Sequence, residues 1–121
     1  WQAADCAATF TVKGTQSWGI RQNHRLTAFL VVRFLGDEAE IITIGVVPEY
    51  QRQGIARDLL SIAMQECQEQ QVKTLFLEVA ADNTAAQALY ESLGFATISL
   101  RKGYYHREGN PMDARVMRLS L

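Results

Sequence analysis

The chain carries two hydrophobic rhythms, and the change between them organises everything that follows. In its first part, short runs of β-branched and aromatic residues are broken by polar pairs. Ser17–Gln22 (SWGIRQ) and Arg25–Phe34 (RLTAFLVVRF) read as strands joined by a tight turn at Asn23-His24. Gly36-Asp37 makes the next turn, ahead of the Ile- and Val-rich segment Glu40–Val47. These three segments form an antiparallel meander. Upstream, Trp1–Phe10 reads as the end of a helix, although Thr9, Thr11 and Val12 pull toward extended structure.

Beyond Tyr50 the period lengthens from two residues to about 3.6. Leu59, Leu60, Ala63, Met64 and Cys67 recur at spacings of three and four, which is one face of a helix over Ile55–Gln71. Thr74–Ala80 (TLFLEVA) returns to alternation. Asn83–Leu93 is a shorter helix, with Asp82 or Asn83 as its N-cap and Gly94 as its stop. Phe95–Tyr104 and Arg115–Leu121 are strands around a turn at Gly109-Asn110-Pro111. The passage from Glu40 to Ala80 is strand, helix, strand, so those two strands run parallel. The expected fold class is α/β (α+β): a mixed, mostly antiparallel sheet with helices on both faces. No repeat or linker divides residues 1–121, which read as a single domain.

Composition narrows the function. Twelve basic and thirteen acidic side chains among 121 residues leave a net charge of -1, without the basic excess of a general nucleic-acid binder. No nucleic-acid partner is expected. Cys6 and Cys67 fit neither a metal spacing nor a disulfide framework, and Cys67 lies on the apolar helix stripe as a buried, inert thiol. No bound metal is expected. No apolar run spans a bilayer and no signal peptide is visible, so the expected setting is cytoplasmic and off the membrane. The expected assembly is a monomer or weak homodimer. The chain starts at Trp1 rather than methionine, so N-terminal elements are expected to be missing.

Three places carry candidate chemistry. Val47-Pro48-Glu49-Tyr50-Gln51-Arg52-Gln53-Gly54-Ile55-Ala56 joins a strand to a helix, whose start offers unpaired N–H groups to an anion. Gly54 lets the backbone curl around a phosphate, and Arg52 and Arg57 add charge; an ordinary turn accounts for the same residues equally well. Glu78 is a lone carboxylate in an apolar strand, either functional or a strand-end residue that reaches solvent or pairs with an arginine. On the next helix Ala86, Tyr90 and Leu93 share a face. Tyr90 is read there first as a packing residue, and Asn83 first as a cap.

Taken together, Gln51-x-x-Gly54-x-Ala56 and Asn83-x-x-Ala86-x-x-Leu89-Tyr90-x-x-Leu93-Gly94-Phe95 resemble the signature of the GNAT superfamily of acetyltransferases. Arg101-Lys102-Gly103-Tyr104-Tyr105 and Asp113-Ala114-Arg115-Val116-Met117 resemble its ribosomal-protein-alanine N-acetyltransferase (RimI) branch. The resemblance implies two central parallel strands that splay apart to admit acetyl-CoA. It implies that the backbone of Val46 and Val47 binds the pantetheine arm, and that N–H groups across Gln51, Arg52, Gln53, Gly54, Ile55, Ala56 and Arg57 hold the pyrophosphate. Asn83 and Ala86 would border the cofactor. Ala56 stands where the family more often has glycine, and the family's first helical segments are absent or reduced to Trp1–Phe10.

Acetyl transfer to an amine needs a neutral amine, a stabilised oxyanion and a proton for the leaving thiolate. A free α-amine has a pKa of roughly 8, so a base must remove one proton. Glu78 is the candidate base, directly or through water, with its apolar strand expected to raise its pKa. Tyr90 is the candidate acid, and a backbone N–H near Val46 the oxyanion donor. Tyr104 and Tyr105 alternate in direction, so at most one faces the acceptor, which is expected to be a protein N-terminus such as that of a ribosomal protein. Acetylation of a small amine and a non-catalytic acetyl-CoA-binding module are the competing readings.

Overall fold

The computed structural model describes residues 5–12, 14–107 and 109–121, with side chains over 14–104 and 109–121. The expected three-stranded meander is present and gains a fourth strand at its start. Its strands are β1 (Asp5–Val12), β2 (Thr15–Gln22), β3 (Arg25–Leu35) and β4 (Glu38–Val46). Asn23 and His24 both take positive φ (52° and 63°), the conformation of a two-residue turn whose twist matches its strands. The helix-end reading of Trp1–Phe10 is overturned from Asp5 onward. Those residues are strand β1, laddered antiparallel to β2, so cross-strand pairing outweighs the helical preference of the alanines.

Helix α1 (Ile55–Glu69) follows a 3-10 turn at Pro48–Tyr50. Then come β5 (Thr74–Ala80), helix α2 (Thr84–Ser92), β6 (Ala96–Arg107) and β7 (Asn110–Ser120). Asn110 and Pro111, expected in a turn, already belong to β7. They pair with β6 alone, because β5 meets β7 only from Ala114 onward. The strands form one sheet in the order β1-β2-β3-β4-β5-β7-β6, with β4–β5 parallel and the other neighbours antiparallel. This is the mixed, mostly antiparallel sheet that the change of period predicted.

Burial on β5 alternates strictly. Leu75, Leu77 and Val79 are buried, while Phe76, Glu78 and Ala80 are half-buried on the opposite face. The buried row joins Ile55, Leu59, Leu60, Ala63 and Cys67 of α1, Tyr90 of α2 and Leu30, Val32 and Ile41 of the meander in one core. Helices on both faces were expected; among the described residues α1 and α2 share one. Both crossovers step the same way across the sheet, so the usual right-handed connection places both helices on one face. The outward face leaves Phe29 and Ile42 exposed.

Cys67 is fully buried, and burial, with a smaller push from Glu66, raises its thiol from 9.0 to about 11. The folded state therefore keeps the proton longer than the unfolded chain. The resulting stabilisation is complete below about pH 9 and is lost as pH rises through 11. In urea titrations across that window, wild type should lose stability relative to Cys67→Ala. A constant difference between the two proteins would show that Cys67 is not packed as described.

Candidate active site

The site begins where a strand ladder stops. β4 and β5 pair only through Glu38–Thr74, Ala39–Leu75 and Glu40–Phe76, although β4 continues to Val46 and β5 to Ala80. Divergence starts beside a bulge: Ile41 lies opposite Val32 and Thr43 opposite Val31, leaving Ile42 as an extra residue that bends β4. The resulting gap, about 290 Å³, is lined by Ile41, Ile42, Leu77, Glu78, Asn83 and Tyr90 among others.

Backbone polarity in the gap follows from strand alternation. Val47 N–H donates to the Thr27 carbonyl of β3 at 2.9 Å. The N–H and C=O of Val46 therefore point the other way, to the side from which β5 has diverged. The Val46 carbonyl accepts from Gln51 Nε2 at 2.9 Å, and the Val47 carbonyl accepts from Tyr50 N–H at 2.9 Å. Of these two residues, Val46 turns its backbone away from β3, while Val47 is bonded to β3 and the following turn.

The loop after β4 is built for its backbone. Arg52 and Gly54 both take left-handed φ, 63° and 80°. At Arg52 that conformation costs about 1–2 kcal/mol. The turn is braced by Gln51 N–H on the Pro48 carbonyl (3.3 Å) and Gln53 Nε2 on the Glu49 carbonyl (3.2 Å). No atom lies within 4 Å of where a Gly54 Cβ would stand, so glycine serves the φ angle here rather than space. Gly54 caps α1 without a side-chain hydrogen bond, and the first bond into the helix is Asp58 N–H to the Gly54 carbonyl, 3.0 Å. The N–H groups of Ile55, Ala56 and Arg57 thus lack helical acceptors and lie at the positive end of the helix dipole.

Helix α2 is finished differently. Asn83 Oδ1 accepts from Ala86 N–H at 3.2 Å, the expected cap. Arg57 Nη2 donates to Ser92 Oγ at 2.7 Å, joining the start of α1 to the end of α2. Between the helices opens a cleft of about 500 Å³. It brings together Val46, Gln51, Arg52, Gly54, Ile55, Ala56, Arg57, Asn83, Ala86 and Tyr90. Val47 and Gln53 are not among its lining residues. An uncapped helix start, a left-handed glycine and small Ala56 in one cleft are what a phosphate-bearing ligand requires.

Tyr90 is buried, packs edge-to-face on Phe95 (5.9 Å, 61°) and borders both this cleft and the gap. On the outward face lies a third space of about 510 Å³, lined by Arg33, Glu40, Ile41, Ile42, Glu78, Arg101 and Tyr104. Glu78 borders it and the gap. The arginine partner that the strand left open for Glu78 is present: Arg101 Nη1 donates to its Oε1 at 2.6 Å. The pair forms because Arg101 on β6 lies opposite the small Ala114 of β7, which lets the long side chain reach β5. This bond raises the Arg101 guanidinium above its ordinary value. Arg101 Cζ sits 3.9 Å from the centre of the Tyr104 ring. The side chain of Tyr105 lies outside the described residues.

Sequence reading passed over Gln87. It is buried, and its Nε2 donates to the carbonyls of Ala80 (3.0 Å) and Ala81 (2.9 Å), fastening α2 to the end of β5. The signal was available: Asn83, Gln87 and Tyr90 share a stripe at i, i+4 and i+7, and a polar residue on an inward stripe needs a partner. Among the described residues no cluster of His, Cys, Asp and Glu is arranged to hold a metal, and no helix is long and apolar enough to cross a membrane.

A splayed parallel pair, with free helix N–H groups on one side and a carboxylate on the other, is an arrangement suited to acyl transfer across a sheet. Residues 2–95 match the Acetyltransferase (GNAT) family, and the chain belongs to it. Its sequence is 43% identical over 102 residues to the [ribosomal protein bS18]-alanine N-acetyltransferase of Escherichia coli K12, covering 84% of this chain and 69% of the relative. The crystal structure of the ribosomal-protein-S18-alanine N-acetyltransferase from Escherichia coli superposes with a TM-score of 0.87 at 40% identity, over 91% of this chain and 71% of that one. A GNAT acetyltransferase from Elizabethkingia anophelis with acetyl-CoA bound shares the fold at 20% identity (TM-score 0.80, 90% of this chain and 78% of that one).

Replacing Gln87 by leucine should leave the Ala81 carbonyl without its side-chain donor and cost about 1–3 kcal/mol in urea unfolding. A loss well below that range would mean that α2 is held to β5 by its apolar contacts alone.

Proposed function

We propose that this acetyltransferase moves the acetyl group of acetyl-CoA to the N-terminal α-amine of a protein, with the alanine N-terminus of a ribosomal protein as the acceptor class. The observation that carries the reading is a row of three adjoining spaces across the sheet. The helix-side cleft and the gap share Ile44, Asn83 and Tyr90, and the gap and the outward cleft share Ile41, Ile42 and Glu78. Donor and acceptor thus approach from opposite faces and meet between β4 and β5. The acceptor class is supported by the similarity to the bS18-alanine enzymes over 84% of the chain.

Acetyl-CoA supplies the activated thioester. The N–H groups at the start of α1 hold its pyrophosphate, the loop from Gln51 to Arg57 curls around it, and Asn83 and Ala86 flank the arm. Val46 offers the arm a backbone edge in place of the missing ladder partner, with Val47 supporting it through its bonds to Thr27 and Tyr50. The Val46 N–H stabilises the developing oxyanion. Glu78, facing the acceptor side, takes the amine proton directly or through one water; Tyr90, facing the donor side, delivers a proton to the leaving sulfur. Tyr104 lines the acceptor path, with Tyr105 following it on β6. The chain works as one catalytic domain, in the cytoplasm, where peptide N-termini and acetyl-CoA are both at hand.

Incubation with acetyl-CoA and a panel of peptides and small amines, read by mass spectrometry, tests the acceptor class. Peptides beginning with alanine should gain 42 Da, roughly the mass of one acetyl group in place of a proton, at the α-amine. Acetylation confined to small amines would overturn the reading. Tyr90→Phe should lower kcat by about a hundredfold with acetyl-CoA affinity nearly unchanged. Glu78→Gln should lower kcat with the peptide by a similar factor, about a hundredfold. Full turnover in either variant removes that residue from the chemistry.

A further inference from the structure

Acetyl transfer gives Glu78 a task and leaves its partner without one. Arg101 is held twice, by its 2.6 Å bond to Glu78 and by the Tyr104 ring beneath its guanidinium. Fixing a long, half-exposed side chain in this way costs rotamer entropy, which the two contacts offset. Glu78 borders both the gap and the outward cleft, whereas Arg101 and Tyr104 border the outward cleft alone. An acceptor arriving through that cleft therefore finds a cation already seated on the carboxylate.

The arriving amine, with a pKa of roughly 8, comes largely as an ammonium. It carries the charge of the guanidinium and competes for the same oxygen. Against a bare alkylamine, Arg101 is only an obstacle. An α-aminoacyl acceptor is different, because only the α-carbon separates its first carbonyl group from the ammonium. A guanidinium has several donors in a fixed fork and readily bonds such an oxygen.

The geometry points to an exchange in which the acceptor ammonium takes Glu78 while the released Arg101, still stacked on Tyr104, donates to the acceptor's first carbonyl. Arg101 is then a specificity-determining residue that favours α-aminoacyl amines over amines with no adjacent carbonyl. Charge stays balanced, as one cation joins the carboxylate when the other leaves it. The inference rests on the peptide-acceptor reading above and on Glu78 facing the acceptor.

The test is Arg101→Met, which keeps an unbranched apolar side chain against Tyr104 and removes the charge and the donors. Kinetics are measured with an alanyl peptide and with the same peptide whose first residue is replaced by 5-aminopentanoyl, which moves the carbonyl away from the amine. For the alanyl peptide, kcat/KM should fall about tenfold, the loss of one charged hydrogen bond. For the aminopentanoyl peptide, KM should instead fall by roughly two- to fivefold, because a competitor for Glu78 is gone. The KM for acetyl-CoA should not move. Parallel losses with both acceptors, or no change with either, would overturn the exchange, since a merely structural role cannot give opposite signs. Glu78→Gln is measured alongside. Full turnover in that variant removes Glu78 from the acceptor and with it the reading on which the exchange rests. Impaired Glu78→Gln without divergent Arg101→Met effects sinks the exchange alone.

Discussion

The fold turns on how early two parallel strands part company. β4 and β5 share only three residue pairs, so the later half of each strand faces its neighbour without a ladder. Buried backbone N–H and C=O groups left unpaired are costly, so such a divergence persists only where other contacts over-determine it. Here each strand is held from its far side. The β3 ladder and the Val47–Thr27 bond hold β4, and the Ile42 bulge turns it away. The full-length β7 ladder holds β5, and Gln87 and the Ala81–Asp113 bond tie its end.

The elements around the gap follow from this division. α1 begins where β4 ends, so its free N–H groups open toward the helix side of the sheet. Glu78 faces the outward side because β5 alternates strictly and its partner rows Leu77 and Val79 are committed to the core. The free helix N–H groups and the carboxylate are thereby kept on opposite faces, as the proposed anionic donor and cationic acceptor require. A helix dipole and a carboxylate on the same face would weaken each other's hold on their ligands.

Much of this was legible in the sequence, for local reasons. The change of period at Ile55, the cap at Asn83 and the glycine at 54 are short-range features, and each is where it was read. The parallel pairing followed from a crossover rule that needs only element order. What escaped reading depends on contacts between distant segments. The Glu78–Arg101 pair spans 23 residues and exists because β7 inserts between β5 and β6 with an alanine at the crossing point. An arginine partner for Glu78 was one of the readings open within TLFLEVA, and only the placement of β6 shows which arginine it is. The helix reading at the start of the chain did fail: the alanines of Asp5–Val12 favour a helix locally, and only the exposed edge of β2 makes them a strand.

Tyr90 shows why burial and chemistry are compatible at this site. Its ring is fixed by Phe95 and by the stripe it shares with Gln87, which is bonded to β5. A phenol that donates a proton to a leaving group must meet that group at hydrogen-bonding distance, and a mobile ring would spend much of its time elsewhere. Packing supplies that constraint without adding a charge. The packing role read first from the helix stripe and the acid role proposed above are therefore compatible in one residue: the core that buries the ring also holds it on the border between cleft and gap.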